Sequence, residues 1–162
     1  MKSAYFAGGC FWCITPVFAE YDGVKNVVSG YSGGDEVNPT YEQVKHQETN
    51  HRETIRIDYD ETAVNYGTLL DIYLANVDPF DEGGQFIDRG RSYTLAVYYE
   101  TEEEKKKAAE MIGKLEKAAG KKAFISVERF RSFYDAEEYH QDYYKKNPEA
   151  FEEELRNSGR KK

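Results

Sequence analysis

The chain has 162 residues with 22 basic and 30 acidic side chains, a net charge of −8, 40% hydrophobic and 15% aromatic content. That length and composition predict one domain with a real core and argue against wholesale disorder. The acidic balance disfavours a nucleic-acid partner, and no apolar run approaches the roughly 18–20 residues of a membrane span.

Met1-Lys2-Ser3 leads straight into a strand-like run without an apolar secretory stretch, so the expectation is a cytoplasmic enzyme. The absence of coiled-coil heptads points to a monomer. Residues 4–7 read as a first strand and Gly8-Gly9 as the turn out of it. Phe11, Ile14, Phe18 and Tyr21 recur at helical spacing, interrupted by Pro16. A helix starting at Cys10 would lose the bond from residue 16 to the Trp12 carbonyl, which predicts a loosened first turn. Residues 24–31 suggest a second strand, followed by a turn-rich stretch to Pro39. Thr54 to Tyr59 places Ile55, Ile57 and Tyr59 on one face of a half-buried strand. Asn65 can cap a helix carrying Leu69, Leu70, Tyr73 and Leu74. From Val77 to Ser92 the chain is Gly- and Asp-rich, a long loop of the kind that tends to be functional. Tyr93 to Tyr99 reads as another strand, and Thr101 with Glu104 as a capping box for a helix to about Ala119. Ile125 to Phe130 predicts a short strand, and Asp135 to Lys146 a last helix. Past Ala150 the acidic and then basic residues read as a charged tail, leaving residues 1–150 as a single catalytic domain. Strands interleaved with helices on one side of a mixed sheet predict an α+β fold, a two-layer sandwich.

Cys10 and Cys13, the only cysteines, lie in Gly8-Gly9-Cys10-Phe11-Trp12-Cys13 directly after the first strand. Thiols three residues apart can form a short disulfide and be reduced again. Two cysteines at this spacing cannot staple a whole domain. Where a glycine pair turns a strand into a helix, the first thiol also meets unsatisfied N–H groups and the positive end of the helix dipole, which lower a thiol's pKa. A redox pair is therefore favoured over the alternatives. One of these is a small core hydrophobe. The other is a Cys2His2 metal site drawing on His46, His51 and His140, whose spacing matches no common zinc finger.

Gly9-Cys10-Phe11-Trp12, Gly30-Tyr31-Ser32-Gly33-Gly34, Asn38-Pro39-Thr40-Tyr41-Glu42, His51-Arg52-Glu53, Asp78-Pro79, Asp88-Arg89-Gly90 and Phe133-Tyr134 through Tyr139-His140-Gln141 occur in this order. Together they resemble the A-type methionine sulfoxide reductases over residues 4 to about 148. The resemblance implies a ferredoxin-like arrangement and reduction of the S epimer of methionine sulfoxide in proteins or peptides. It further implies recycling by a thioredoxin-type reductant, with no metal and no bound organic cofactor. Reducing a sulfoxide takes a thiolate at sulfur and an acid for the departing oxygen. The resemblance gives these roles to Cys10 and Glu53, a carboxyl expected to stay protonated among aromatics. It places Tyr41 and Tyr93 as phenol donors to the sulfoxide oxygen, Phe11 and Trp12 around the S-methyl group, and Asp88 near the substrate main chain. His140 is expected to be structural, and the role of His51, a turn histidine preceding Glu53, is left open.

Some positions depart from the family pattern. Cys13 stands where many members have glycine, and the stretch from Pro148 to Lys162 holds no cysteine, so recycling must use Cys13 or an external thiol directly. Asn50 replaces a usual glycine, and Ser92-Tyr93-Thr94-Leu95 replaces a frequent Gln-Tyr-Arg-Ser. On a regular helix, residues three apart have Cβ atoms about 5–6 Å apart, whereas a disulfide wants about 3.8 Å. Pro16 is expected to ease that closure by loosening the turn. The rivals are a general Cys-x-x-Cys disulfide oxidoreductase, which would not need Glu53, and a non-catalytic module binding oxidised methionine peptides or a metal.

Overall fold

Period-two alternation of apolar residues builds the central sheet. The computed structural model describes residues 1–141 and residue 149. Its elements are β1 (Lys2–Gly8), α1 (Phe11–Ala19), β2 (Val24–Ser32), α2 (Tyr41–Lys45), β3 (Arg52–Tyr59), α3 (Tyr66–Ala75), β4 (Gly84–Gln85), β5 (Asp88–Arg89), β6 (Leu95–Tyr99), α4 (Glu102–Ala119), β7 (Ile125–Arg129) and β8 (Phe133–Asp135). Strands order as β7-β6-β1-β3-β2-β8 in one six-stranded sheet, while β4 and β5 form a separate hairpin. Within the sheet, β6-β1-β3-β2 are mutually antiparallel. With α1 and α3 they repeat the β-α-β-β-α-β plan of ferredoxin-like folds. β7 returns parallel to β6 after α4, and β8 adds to β2 at the opposite edge. The α+β expectation holds.

One sheet face is Phe6, Val27, Tyr31, Ile55, Ile57, Tyr59, Leu95 and Val97. It packs against Phe11, Ile14 and Phe18 of α1, Leu69, Leu70 and Tyr73 of α3, and Ala108 and Ile112 of α4. Each Val, Leu, Ile or Phe among them contributes about 1.5–3 kcal/mol by leaving water. The other face carries a smaller cluster, Tyr5, Ala7, Ala96 and Tyr98 under Phe130 and Phe133. No helix among the described residues is long and apolar enough to cross a membrane.

Several boundaries differ from the sequence expectation, each for a physical reason. β3 starts at Arg52, because β2 offers Ser32 and Tyr31 as partners for Arg52 and Glu53. β6 starts at Leu95, and Tyr93 ends a single 3-10 turn, Arg91–Tyr93. Thr101 caps α4 through the Glu104 N–H, but the Glu104 carboxylate turns to the Glu100 N–H at 2.8 Å, so the box is half formed. The helix expected from Asp135 is absent over the described part. Phe133–Asp135 pairs with β2 instead, because Gly30 has no side chain to hold Phe133 and Tyr134 off. Glu138–His140 forms one 3-10 turn, while residues 142–146 and the tail past Ala150 lie outside the described residues. α2 was not anticipated. Its five residues are too few for a periodic signal, although the Thr40–Gln43 capping box that starts it is local.

Candidate active site

In the antiparallel register, Gly8 at the end of β1 faces Leu95 at the start of β6, and Tyr31 near the end of β2 faces Glu53 at the start of β3. Four strand ends thus meet on one edge, and α1 leaves from the same place. Gly8 is pressed against Ile14, Tyr73 and Val77, and Gly9 turns the chain at φ 87°, a conformation that favours glycine. The turn leaves Cys10 as the N-cap of α1, at φ −58° and ψ 119°, outside the helix.

That position takes Cys10 out of the regular helical pair assumed for the closure problem. α1 continues past Pro16 to Ala19, although proline has no N–H to give the Trp12 carbonyl. Cys10 stands before the helix, Cys13 donates its N–H to the Cys10 carbonyl at 3.1 Å, and the two thiols touch through a hydrogen bond. Both are reduced thiols and buried, 7% and 5% exposed.

The electrostatics of Cys10 run opposite to the helix-end expectation. Its hydrogen bond to Cys13 pushes the thiol well above its ordinary value, followed by burial and the negative charges of Cys13, Glu53 and Asp88. The end of α1 does not serve the sulfur alone, because the Phe11 N–H donates to Glu53 Oε1 at 3.1 Å. These influences favour the protonated form of Cys10. Site-resolved alkylation of the reduced protein by iodoacetamide should be slower at Cys10 than at a model peptide cysteine at pH 7.5. It should keep climbing past about pH 8.5, where a free thiol titrates. A plateau below pH 7 would contradict this.

Glu53 is 1% exposed, on the helix-facing side of β3. Tyr93 is half-buried. Burial raises its phenol pKa most, and Glu53, Tyr41, Cys10 and Asp88 add to the rise in that order. Tyr93 is thus within electrostatic reach of Glu53, Tyr41, Cys10 and Asp88. Asp88 opens β5, in a hairpin braced by the Arg89–Asp81 fork at 2.6 and 2.7 Å and by buried Gln85 on Asp78.

Phe11, Trp12 and Tyr41 form an aromatic wall with His140. Ring centroids lie 6.0 Å apart for Trp12–Tyr41, 5.2 Å for Trp12–His140, 4.2 Å for Tyr41–His140 and 5.3 Å for Phe11–His140. Trp12 Nε1–H donates to His140 Nδ1 at 3.0 Å, which assigns the ring proton to Nε2. Burial holds the His140 pKa below its usual value, partly offset by Glu137 and Glu42. His140 was expected to be structural, and the geometry sets it in the wall itself. Glu137, unforeseen, accepts from the Tyr31 hydroxyl at 2.9 Å and from the Tyr41 N–H at 3.0 Å. Burial opposes its charge, yet those bonds keep its pKa below the ordinary carboxylate value. Only the Tyr-His-Gln fragment hinted at this segment. Its Gln141 clasps Ser29 like a strand neighbour, at 2.9 Å to both the N–H and the carbonyl.

His51 is fully buried. It accepts the Gly34 N–H at Nδ1 (3.2 Å) and bonds the Glu36 carbonyl through Nε2 at 2.7 Å. It therefore ties the loop after β2 to the residues leading into Glu53. Arg52 points to the opposite face, where Glu128, Thr94 and Tyr98 receive it at 2.7, 2.8 and 3.0 Å. Among the described residues, no three His, Cys, Asp or Glu side chains cluster so as to hold a metal ion.

A family model described as "Peptide methionine sulfoxide reductase" matches residues 2–162. The chain is 48% identical over 160 residues to Peptide methionine sulfoxide reductase MsrA 2 of Staphylococcus aureus, covering 98% of this chain and 90% of that protein. Among solved structures it resembles reduced Mxr1 from Saccharomyces cerevisiae, with TM-score 0.86 and 28% identity over 91% of this chain and 86% of that one. Methionine sulfoxide reductase A of Corynebacterium diphtheriae gives TM-score 0.82 and 28% identity over 91% and 75% of the two chains.

Proposed function

The chain belongs to the peptide methionine sulfoxide reductase family, and we propose that it reduces the S epimer of methionine sulfoxide, peptide-bound or free, through Cys10 and Cys13. The observation that carries this reading is the convergence of Cys10, Glu53, Tyr93 and Asp88 at the start of α1, beside the Phe11–Trp12–Tyr41 wall. A general disulfide oxidoreductase would not need Glu53 together with the Tyr41 and Tyr93 phenols and the aromatic wall.

In the proposed reaction the S-methyl group rests on Phe11 and Trp12, where sulfur and methyl meet aromatic faces favourably. Asp88 stands toward the substrate main chain. Tyr41 and Tyr93 donate to the sulfoxide oxygen, bonds that strengthen as that oxygen gains charge. Glu53 gives the oxygen a proton while Cys10 sulfur attacks the substrate sulfur, and the thiol proton replaces the one Glu53 has given. The oxygen passes to Cys10, methionine leaves, and Cys10 is left as a sulfenic acid. The substrate sulfur has gained the two electrons that Cys10 lost. Cys13, already against Cys10, attacks the sulfenic sulfur, forming the disulfide and releasing water. A dithiol of the thioredoxin type then takes up the oxidation by exchange, consistent with action as a cytoplasmic monomer whose catalytic domain spans residues 1–150.

Cys13→Ser separates the steps. The variant should still yield about one methionine per chain in a single turnover, with a dimedone-trappable sulfenic acid at Cys10, and should fail to cycle with thioredoxin. Wild-type cycling with thioredoxin in this variant would remove Cys13 from the scheme.

A further inference from the structure

Tyr93 sits on one turn of 3-10 helix, Arg91–Tyr93, an element with little stability of its own. The placement of that turn comes from Gln47, 45 positions before Ser92. The Gln47 carboxamide closes on Ser92 with two bonds: Oε1 accepts the Ser92 N–H at 3.1 Å, and Nε2 donates to Ser92 Oγ at 2.8 Å. Ser92 is buried, so neither bond competes freely with water. Nε2 also donates to the Lys45 carbonyl at 3.1 Å, fixing the amide's orientation. Gly90, at φ 119°, lies so close that a Cβ there would stand 2.8 Å from Gln47 Cδ. Gln47 itself adopts φ 61°, an unfavourable backbone for a residue with a side chain.

Gln47 follows α2 directly, its N–H on the Val44 carbonyl at 3.1 Å, and α2 begins with Tyr41. The clasp thus ties the helix that bears one phenol to the turn that bears the other. We propose that Gln47 is a positioning residue for sulfoxide reduction, setting the Tyr93 phenol relative to Tyr41, Cys10 and Glu53. The inference rests on the reading of Tyr93 as a donor to the sulfoxide oxygen. Strained backbone persists where the surroundings over-determine it, and here the surroundings are the clasp.

A double-mutant cycle tests it, with kcat and KM measured on a methionine sulfoxide peptide using dithiothreitol. Gln47→Gly is the main variant, because glycine accepts φ 61° and the fold is kept while the clasp is lost. Gln47→Ala is the second, and thermal melting checks both. Losing one preorganised donor in Tyr93→Phe should cost on the order of 100-fold in kcat. Misplacing it in Gln47→Gly should cost about tenfold, mainly in kcat. In the Tyr93→Phe background the Gln47→Gly substitution should cost less than about twofold. Equal fold losses in both backgrounds, or full activity of Gln47→Gly, overturn the proposal while leaving Tyr93's role intact. Unchanged kcat in Tyr93→Phe overturns the reading of Tyr93, and the positioning role with it.

Discussion

Cys10→Ser protein should form no detectable methionine from a sulfoxide peptide, even over long incubation with excess dithiol. The oxygen-accepting atom in the proposed scheme is the Cys10 sulfur, and a serine hydroxyl is neither nucleophilic enough at neutral pH nor able to carry the oxygen as a sulfenic acid does. Cys13 cannot substitute. It lies three residues into the sequence of the turn, inside α1 and buried, and the Glu53 carboxyl reaches the Phe11 N–H beside Cys10. The fold should survive, since sulfur and hydroxyl differ little in size at a capping position where serine is favoured. Methionine production by a folded Cys10→Ser variant, measured by chromatography of the peptide, would require another nucleophile.

Glu53→Gln should lower kcat by about 10²–10⁴-fold, the usual worth of general acid catalysis. The amide keeps the shape and can still accept the Phe11 N–H that Glu53 Oε1 now receives, so binding and stability should change little. What it cannot do is release a proton to the sulfoxide oxygen. An unchanged KM and an unchanged thermal melting profile beside the lost kcat would separate loss of the acid from general damage to the site. Activity within threefold of wild type would remove Glu53 as the acid.

The strands were legible where the pattern is local: Ile55, Ile57 and Tyr59 in β3 sit on the one face their spacing indicates, and the apolar run of residues 4–7 falls within β1. Their order was not, because β8 finds β2 through contacts of Gly30 with Phe133 and Tyr134 that a local pattern does not contain. At the site, the Cys10–Cys13 pair was singled out by its spacing, while Glu53 was singled out only through resemblance. Glu137 and Gln47 act through hydrogen bonds to residues far away in the chain, Tyr41 and Ser92, and no local spacing announces them. The departures around Tyr93 acquire a meaning only in three dimensions. Ser92 and Thr94, where a carboxamide and a guanidinium are frequent, receive those groups from Gln47 and Arg52 instead. The direction of the Cys10 shift was missed because the helix-end effect was weighed alone: the hydrogen bond to Cys13 comes first and burial second in raising the thiol, with Glu53 and Asp88 from β3 and β5 adding less.

The most direct test of the account is steady-state turnover of two otherwise identical peptides, one carrying S-methionine sulfoxide and the other the R epimer, with dithiothreitol as reductant. The account predicts that the S peptide is consumed and the R peptide is left untouched. Comparable turnover of both epimers, or of neither, would contradict it.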